Sequence, residues 1–140
     1  MNIQEYKLER DLLLACEQAN SFPEGIPEAM AKLQDKLHNK DSIQLYGISR
    51  PEQKRGILYY SCAAIESEEE VKKYNLKPIT MKAGIYYTID VQNFHRDLTS
   101  IGKAFEKILS LEDIDPEGYC VEAYSGEDVR CMVRKKDNQN

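Results

Sequence analysis

Long apolar runs are missing from this chain of 140 residues. The most continuous one, Leu12-Leu13-Leu14-Ala15-Cys16, falls far short of the roughly 20 residues of a membrane-spanning helix. No membrane partner is expected. Positive charge is also scarce: 19 Lys and Arg stand against 24 Asp and Glu, a net charge of −5. That balance disfavours a phosphate backbone as direct partner, so no nucleic acid is expected. The cysteines are Cys16, Cys62, Cys120 and Cys131, with no CxxC pair. The two histidines, His38 and His95, complete no zinc-like array with them. Neither histidine has a partner at ligand spacing, and no metal or other cofactor is expected. Each cysteine lies in an apolar or strand-like stretch, which gives four buried, reduced thiols in a cytoplasmic protein. The first ten residues are polar and charged and show no signal-peptide pattern.

What is present is an ordinary globular mixture, 41% hydrophobic and 31% charged, of a length suited to one domain. Tyrosine is the exception. Nine Tyr accompany three Phe and no Trp. A tyrosine carries a flat apolar ring and a hydroxyl, and serves both cores and pockets for flat or cationic ligands.

Along the chain, Leu12–Ala19 reads as a strand. Pro27 suits a first helical turn, and Ile26, Met30, Leu33 and Leu37 then form one apolar stripe. Ser42–Ile48 alternates as a strand, Arg50–Lys54 reads as a polar loop, and Gly56–Ile65 as a further strand. The charged segment Glu66–Lys73 reads as a short solvated helix or loop. Leu76–Lys82 and Ile85–Val91 are strand-like, with a kink at Gly84. Asn93 is placed to cap a second helix, whose apolar face carries Phe94, Leu98, Ile101, Phe105, Ile108 and Leu109. Tyr119–Tyr124 and Asp128–Arg134 make a hairpin across Ser125-Gly126-Glu127. The end of the chain, 136–140, should fray. The same strand–helix–strand–strand order thus occurs twice, at a period of about 70. The expected fold is α+β: a tandem β-α-β-β repeat with halves at about 8–66 and 76–135. Its antiparallel sheet would carry two helices on one face and a ligand groove on the other.

Four segments carry a resemblance to a known family. Ser21-Phe22-Pro23-Glu24-Gly25-Ile26-Pro27-Glu28-Ala29 resembles the first turn-to-helix segment of the GyrI-like proteins, the AraC-type effector-binding domains of bacterial transcription regulators. Tyr46-Gly47-Ile48-Ser49 resembles their second strand. Met81-Lys82-Ala83-Gly84-Ile85-Tyr86-Tyr87 resembles their glycine-and-tyrosine strand, with Met81 for the usual proline and Ile85 for a basic or polar residue. Gly118–Tyr124 resembles their C-terminal strand with its E-x-Y motif. The resemblance runs from about Leu8 to Arg134. It implies tandem β-α-β-β units and a groove for small hydrophobic or cationic molecules. It also implies a glutamate among aromatics, which falls on Glu122. Since no length remains for a helix-turn-helix, it points to a stand-alone, non-enzymatic binding protein. An inhibitor of DNA gyrase, with a protein partner, is the alternative. A hydrolase on the same groove is less favoured, because such relatives use a Trp with the Glu and this chain has none.

Glu122 is the leading site residue. Side chains alternate along Tyr119–Tyr124, so Cys120, Glu122 and Tyr124 share one face and Tyr119, Val121 and Ala123 the other. If Val121 and Ala123 take the helix side, Glu122 and Tyr124 point to the open face. A carboxylate partly desolvated among tyrosine rings favours a cation. Tyr86, Tyr60 and Tyr46 are the further ligand-binding candidates. No catalytic residue is assigned, and the sequence leaves the ligand's identity and the oligomeric state open.

Overall fold

The computed structural model describes residues 2–52 and 56–137. In chain order its elements are β1 (Gln4–Leu8), β2 (Leu12–Gln18), α1 (Ile26–Lys36), β3 (Leu45–Glu52), β4 (Gly56–Ala64), α2 (Glu68–Lys73), β5 (Lys77–Met81), β6 (Gly84–Val91), α3 (Thr99–Leu109), β7 (Cys120–Ser125) and β8 (Asp128–Arg134). A single 3-10 turn, Phe94–Arg96, stands between β6 and α3. They group into a central unit, Asp11–Met81, and a terminal unit, Met1–Arg10 with Lys82–Asn140.

The tandem repeat is present. In the central unit the antiparallel strands run β5-β2-β4-β3; in the terminal unit they run β1-β6-β8-β7. Each β-α-β-β motif therefore lays its third strand between its first and second, and one extra strand pairs with the first. The class is α+β. The long helix of each motif covers its first and third strands: α1 packs on β2 and β4, and α3 on β6 and β8. The physical cause is a stripe at helical spacing. Ala29 and Leu33 are buried on the first helix, with Leu37 at its C-terminal cap, and Ala104 and Ile108 on the second. α2 is capped by Ser67, whose hydroxyl accepts from the Glu70 N–H at 3.3 Å. It is less solvated than its charges imply, since Val71 is fully buried with Ala15 and Ile65.

Several boundaries differ from the sequence reading. The second long helix starts at Thr99. Asn93 takes a left-handed conformation, φ 49°, and caps nothing with its side chain. The carboxylate of Asp97 instead accepts from the Thr99 N–H at 3.1 Å. Leu98 and Leu109, expected on the apolar face, are 66% and 49% exposed. β3 runs on through Arg50-Pro51-Glu52, where a loop was expected, because these residues stay in register with Leu58, Ile57 and Gly56; Gln53 and Lys54 lie outside the described residues. β1 was not foreseen, for Gln4–Lys7 are all exposed and show no apolar alternation. At the other end, Lys136 donates its N–H to the Asp113 carbonyl at 2.7 Å, and 138–140 lie outside the described residues.

The cysteines also depart from expectation. Cys16 on β2 and Cys62 on β4 stand directly opposite each other and form a disulfide, Cα–Cα 4.2 Å. Their 46-residue separation hid a pair that only the strand register reveals. Cys120 and Cys131 are free.

Candidate functional site

The helix side of the terminal unit is set by its core. Ile89 and Val91 on β6, Ala104 and Ile108 on α3, and Val129, Cys131 and Val133 on β8 form one buried cluster. β7 pairs with β8 so that Cys120 faces Val133, Glu122 faces Cys131 and Tyr124 faces Val129. Paired residues share a face of the sheet. Glu122 and Tyr124 therefore lie on the α3 side, and Val121 on the other. This reverses the expected orientation. The cause is that both faces of this sheet are buried: Tyr86, Thr88, Val121, Met132 and Arg134 on the side away from α3 are each at most 5% exposed. The apolar character of Val121 thus did not distinguish the sides.

Because α3 covers β6 and β8, the helix-side row of β7 lies beside it as a shelf. Glu122 sits there half-buried and accepts a hydrogen bond from the Tyr124 hydroxyl. The Tyr124 ring meets the Phe94 ring with centroids 5.8 Å apart, inclined at 49°. Phe94, Ile101, Phe105, Cys120 and Tyr124 are all partly buried against the same core. The carboxylate charge is felt by both thiols. Burial first, and Glu122 second, push Cys120 up to about 11; the same two causes lead in pushing Cys131 up to about 12. Both thiols stay neutral at physiological pH. The shelf thus offers one carboxylate with a soft, largely apolar surround, which is suited to a desolvated cation.

The other named tyrosines are elsewhere. Tyr86 is buried on the face away from α3, and its hydroxyl donates to the Lys82 carbonyl, so it is not on the Glu122 shelf. Tyr46 and Tyr60 belong to the central unit, on the face away from α1, beside Cys62 and Ile48. Tyr60 already holds a cation of the chain itself. Lys77 Nζ lies 5.1 Å from its ring centroid and donates to its hydroxyl at 3.3 Å. The sequence reading gave no site role to Phe94, Cys120 or Cys131. The β7–β8 register was the signal that could have found the two thiols.

A second polar cluster of this unit is occupied by structure. The Tyr87 hydroxyl donates to Asp113 at 2.6 Å, which raises Tyr87 to about 12 and lowers Asp113. Among the described residues, no group of three or more His, Cys, Asp and Glu could hold a metal ion. None of the helices described is long and apolar enough to cross a membrane.

No family model matches the chain, and no curated protein matches it. Solved structures do. SAV2435, bound to tetraphenylphosphonium, is 14% identical with a TM-score of 0.63 over 97% of this chain and 94% of that one. A putative bacterial transcription regulation protein from Staphylococcus aureus MU50 is 14% identical with a TM-score of 0.62, covering 98% and 99%. An integron cassette protein from Vibrio cholerae is 10% identical with a TM-score of 0.58, covering 97% of each chain. At these identities the likeness is one of fold, and the fold agrees with what the GyrI-like resemblance implies.

Proposed function

We propose that this fold serves here as a non-enzymatic binding protein for small hydrophobic cations, related to the effector-binding domains of regulators. The observation that carries the reading is the Glu122 carboxylate, half-buried on the helix side of β7 beside Tyr124 and the Phe94-walled core. A cation placed there gains a charge partner in a partly desolvated setting and the π-faces of nearby rings. The tetraphenylphosphonium bound by SAV2435, a protein of the same fold, supports the ligand class. Of the other tyrosines named from sequence, Tyr86 lies on the opposite face of the terminal unit's sheet from Glu122, and Tyr46 and Tyr60 belong to the central unit.

Titration calorimetry with tetraphenylphosphonium tests the reading. Wild-type protein should bind it saturably. Glu122→Gln, which keeps size and a hydrogen-bonding oxygen, should weaken binding by roughly 5- to 150-fold, the equivalent of about 1–3 kcal/mol. Undiminished binding by Glu122→Gln, or none by the wild type, overturns it.

A further inference from the structure

We infer that Asp128, the first residue of β8, is a positioning residue for the site: it holds the aromatic wall Phe94 against Tyr124. The inference rests on the cation-binding reading above and names what organises that site. Phe94 is carried by the short 3-10 turn between β6 and α3, outside both elements. Its ring is partly buried against the core that β6, α3 and β8 share, and it meets Tyr124 at 5.8 Å. Two hydrogen bonds tie this segment to the β7–β8 turn and the start of β8. The Asp128 carboxylate accepts from the Asn93 N–H at 3.0 Å, and the Glu127 carbonyl accepts from the Phe94 N–H at 3.1 Å. Asn93 is left-handed at φ 49°, a conformation that asparagine tolerates, and the chain bends there just before Phe94. From there the contacts are contiguous: Asp128 to Asn93, Phe94 to Tyr124, Tyr124 hydroxyl to Glu122. The central unit is the contrast. There Phe22 precedes α1 and meets Tyr59 at 5.9 Å. Gly47, paired with Ser61, takes the register place that Glu122, paired with Cys131, takes in the terminal unit. An aromatic before the helix is common to both repeats, whereas the carboxylate beside it belongs to one. That is where the tie through Asp128 bears on a ligand.

The test separates the tie from the charge. Asp128→Asn removes the charge and keeps an acceptor oxygen; Asp128→Ala removes both. In the free protein, amide exchange at Asn93 and Phe94 should speed up at least about 10-fold in Asp128→Ala and stay near wild type in Asp128→Asn. Tetraphenylphosphonium affinity should fall roughly 3- to 10-fold in Asp128→Ala and change less than about 2-fold in Asp128→Asn. In a Phe94→Ala background the Asp128→Ala loss should vanish, since the residue to be positioned is gone. Unchanged amide exchange overturns the inference. So does an equal affinity loss in both backgrounds, which would mean that Asp128 acts by charge. Unchanged affinity in Asp128→Ala, with Glu122→Gln still weakened, overturns the inference and leaves the function reading standing. An unaffected Glu122→Gln overturns the function reading, and the inference with it.

Discussion

Glu122 marks its surroundings chemically, and that mark can be measured without any ligand. Its negative charge is the second cause, after burial, of the raised Cys120 and Cys131 thiols. A thiolate, not a thiol, is alkylated. Removing the charge in Glu122→Gln should therefore lower the Cys120 pKa and speed its alkylation. With iodoacetamide at pH 8.5 the rate should rise by roughly 2- to 10-fold, and the midpoint of the pH–rate curve should move down. Cys131 is fully buried and should stay slow in both proteins. An unchanged Cys120 rate would show that the carboxylate lies farther from the thiol than the structure has it. At this scale the residue type was legible from the resemblance, but its direction was not. Alternation along β7 sorts side chains into two sets and says nothing of which set meets the helix when both sides are buried.

At the scale of elements, the entry into β6 is set by one glycine and one arginine. Gly84 has φ 140°, a region that side-chain-bearing residues rarely occupy. A Cβ built on it would lie 2.8 Å from Arg134 Nη2 and 2.9 Å from Nε. Long side chains often yield to such a contact, but this one is held. The Arg134 guanidinium is buried, donating to the Ala83 carbonyl at 2.9 Å, to Asp115 at 2.9 Å and to Asp137 at 2.7 Å. Gly84→Ala should thus cost about 2–4 kcal/mol, adding backbone strain to a displaced buried ion pair. Chemical denaturation should show this as a lower midpoint, with Arg134→Lys failing to restore it because the forked contacts are lost. A loss under about 0.5 kcal/mol, the range of neutral surface changes, would refute the account. The kink at Gly84 was legible in the sequence. The arginine that requires it is 50 residues away and was not.

For the whole molecule, the relevant sequence quantity is charge. With a net charge of −5, there is no general attraction to a polyanion. The protein should show no salt-sensitive, submicromolar binding to a generic DNA duplex in 150 mM salt. Fluorescence anisotropy with a labelled duplex checks this, and tight binding released by added salt would contradict it. The same acidity accords with a cationic ligand, although a net charge acts on approach and does not build a site.

The sequence by itself determined the repeated strand–helix–strand–strand order, the two long helices and the β7–β8 hairpin. These rest on local period and turn residues: Leu33 and Leu37 at helical spacing, and Gly126 at φ 60° between β7 and β8. Tertiary structure decided what local period does not carry. β1 exists because β6 offers it a partner, not because its exposed residues favour a strand. The Cys16–Cys62 disulfide follows from the β2–β4 register. The placement of Glu122 beside Tyr124 and Phe94 came from the register of β7 on β8 and from the bend at Asn93. Each joins residues distant in the chain, and hydrophobic alternation, being a neighbour-to-neighbour signal, has no means of recording such a meeting.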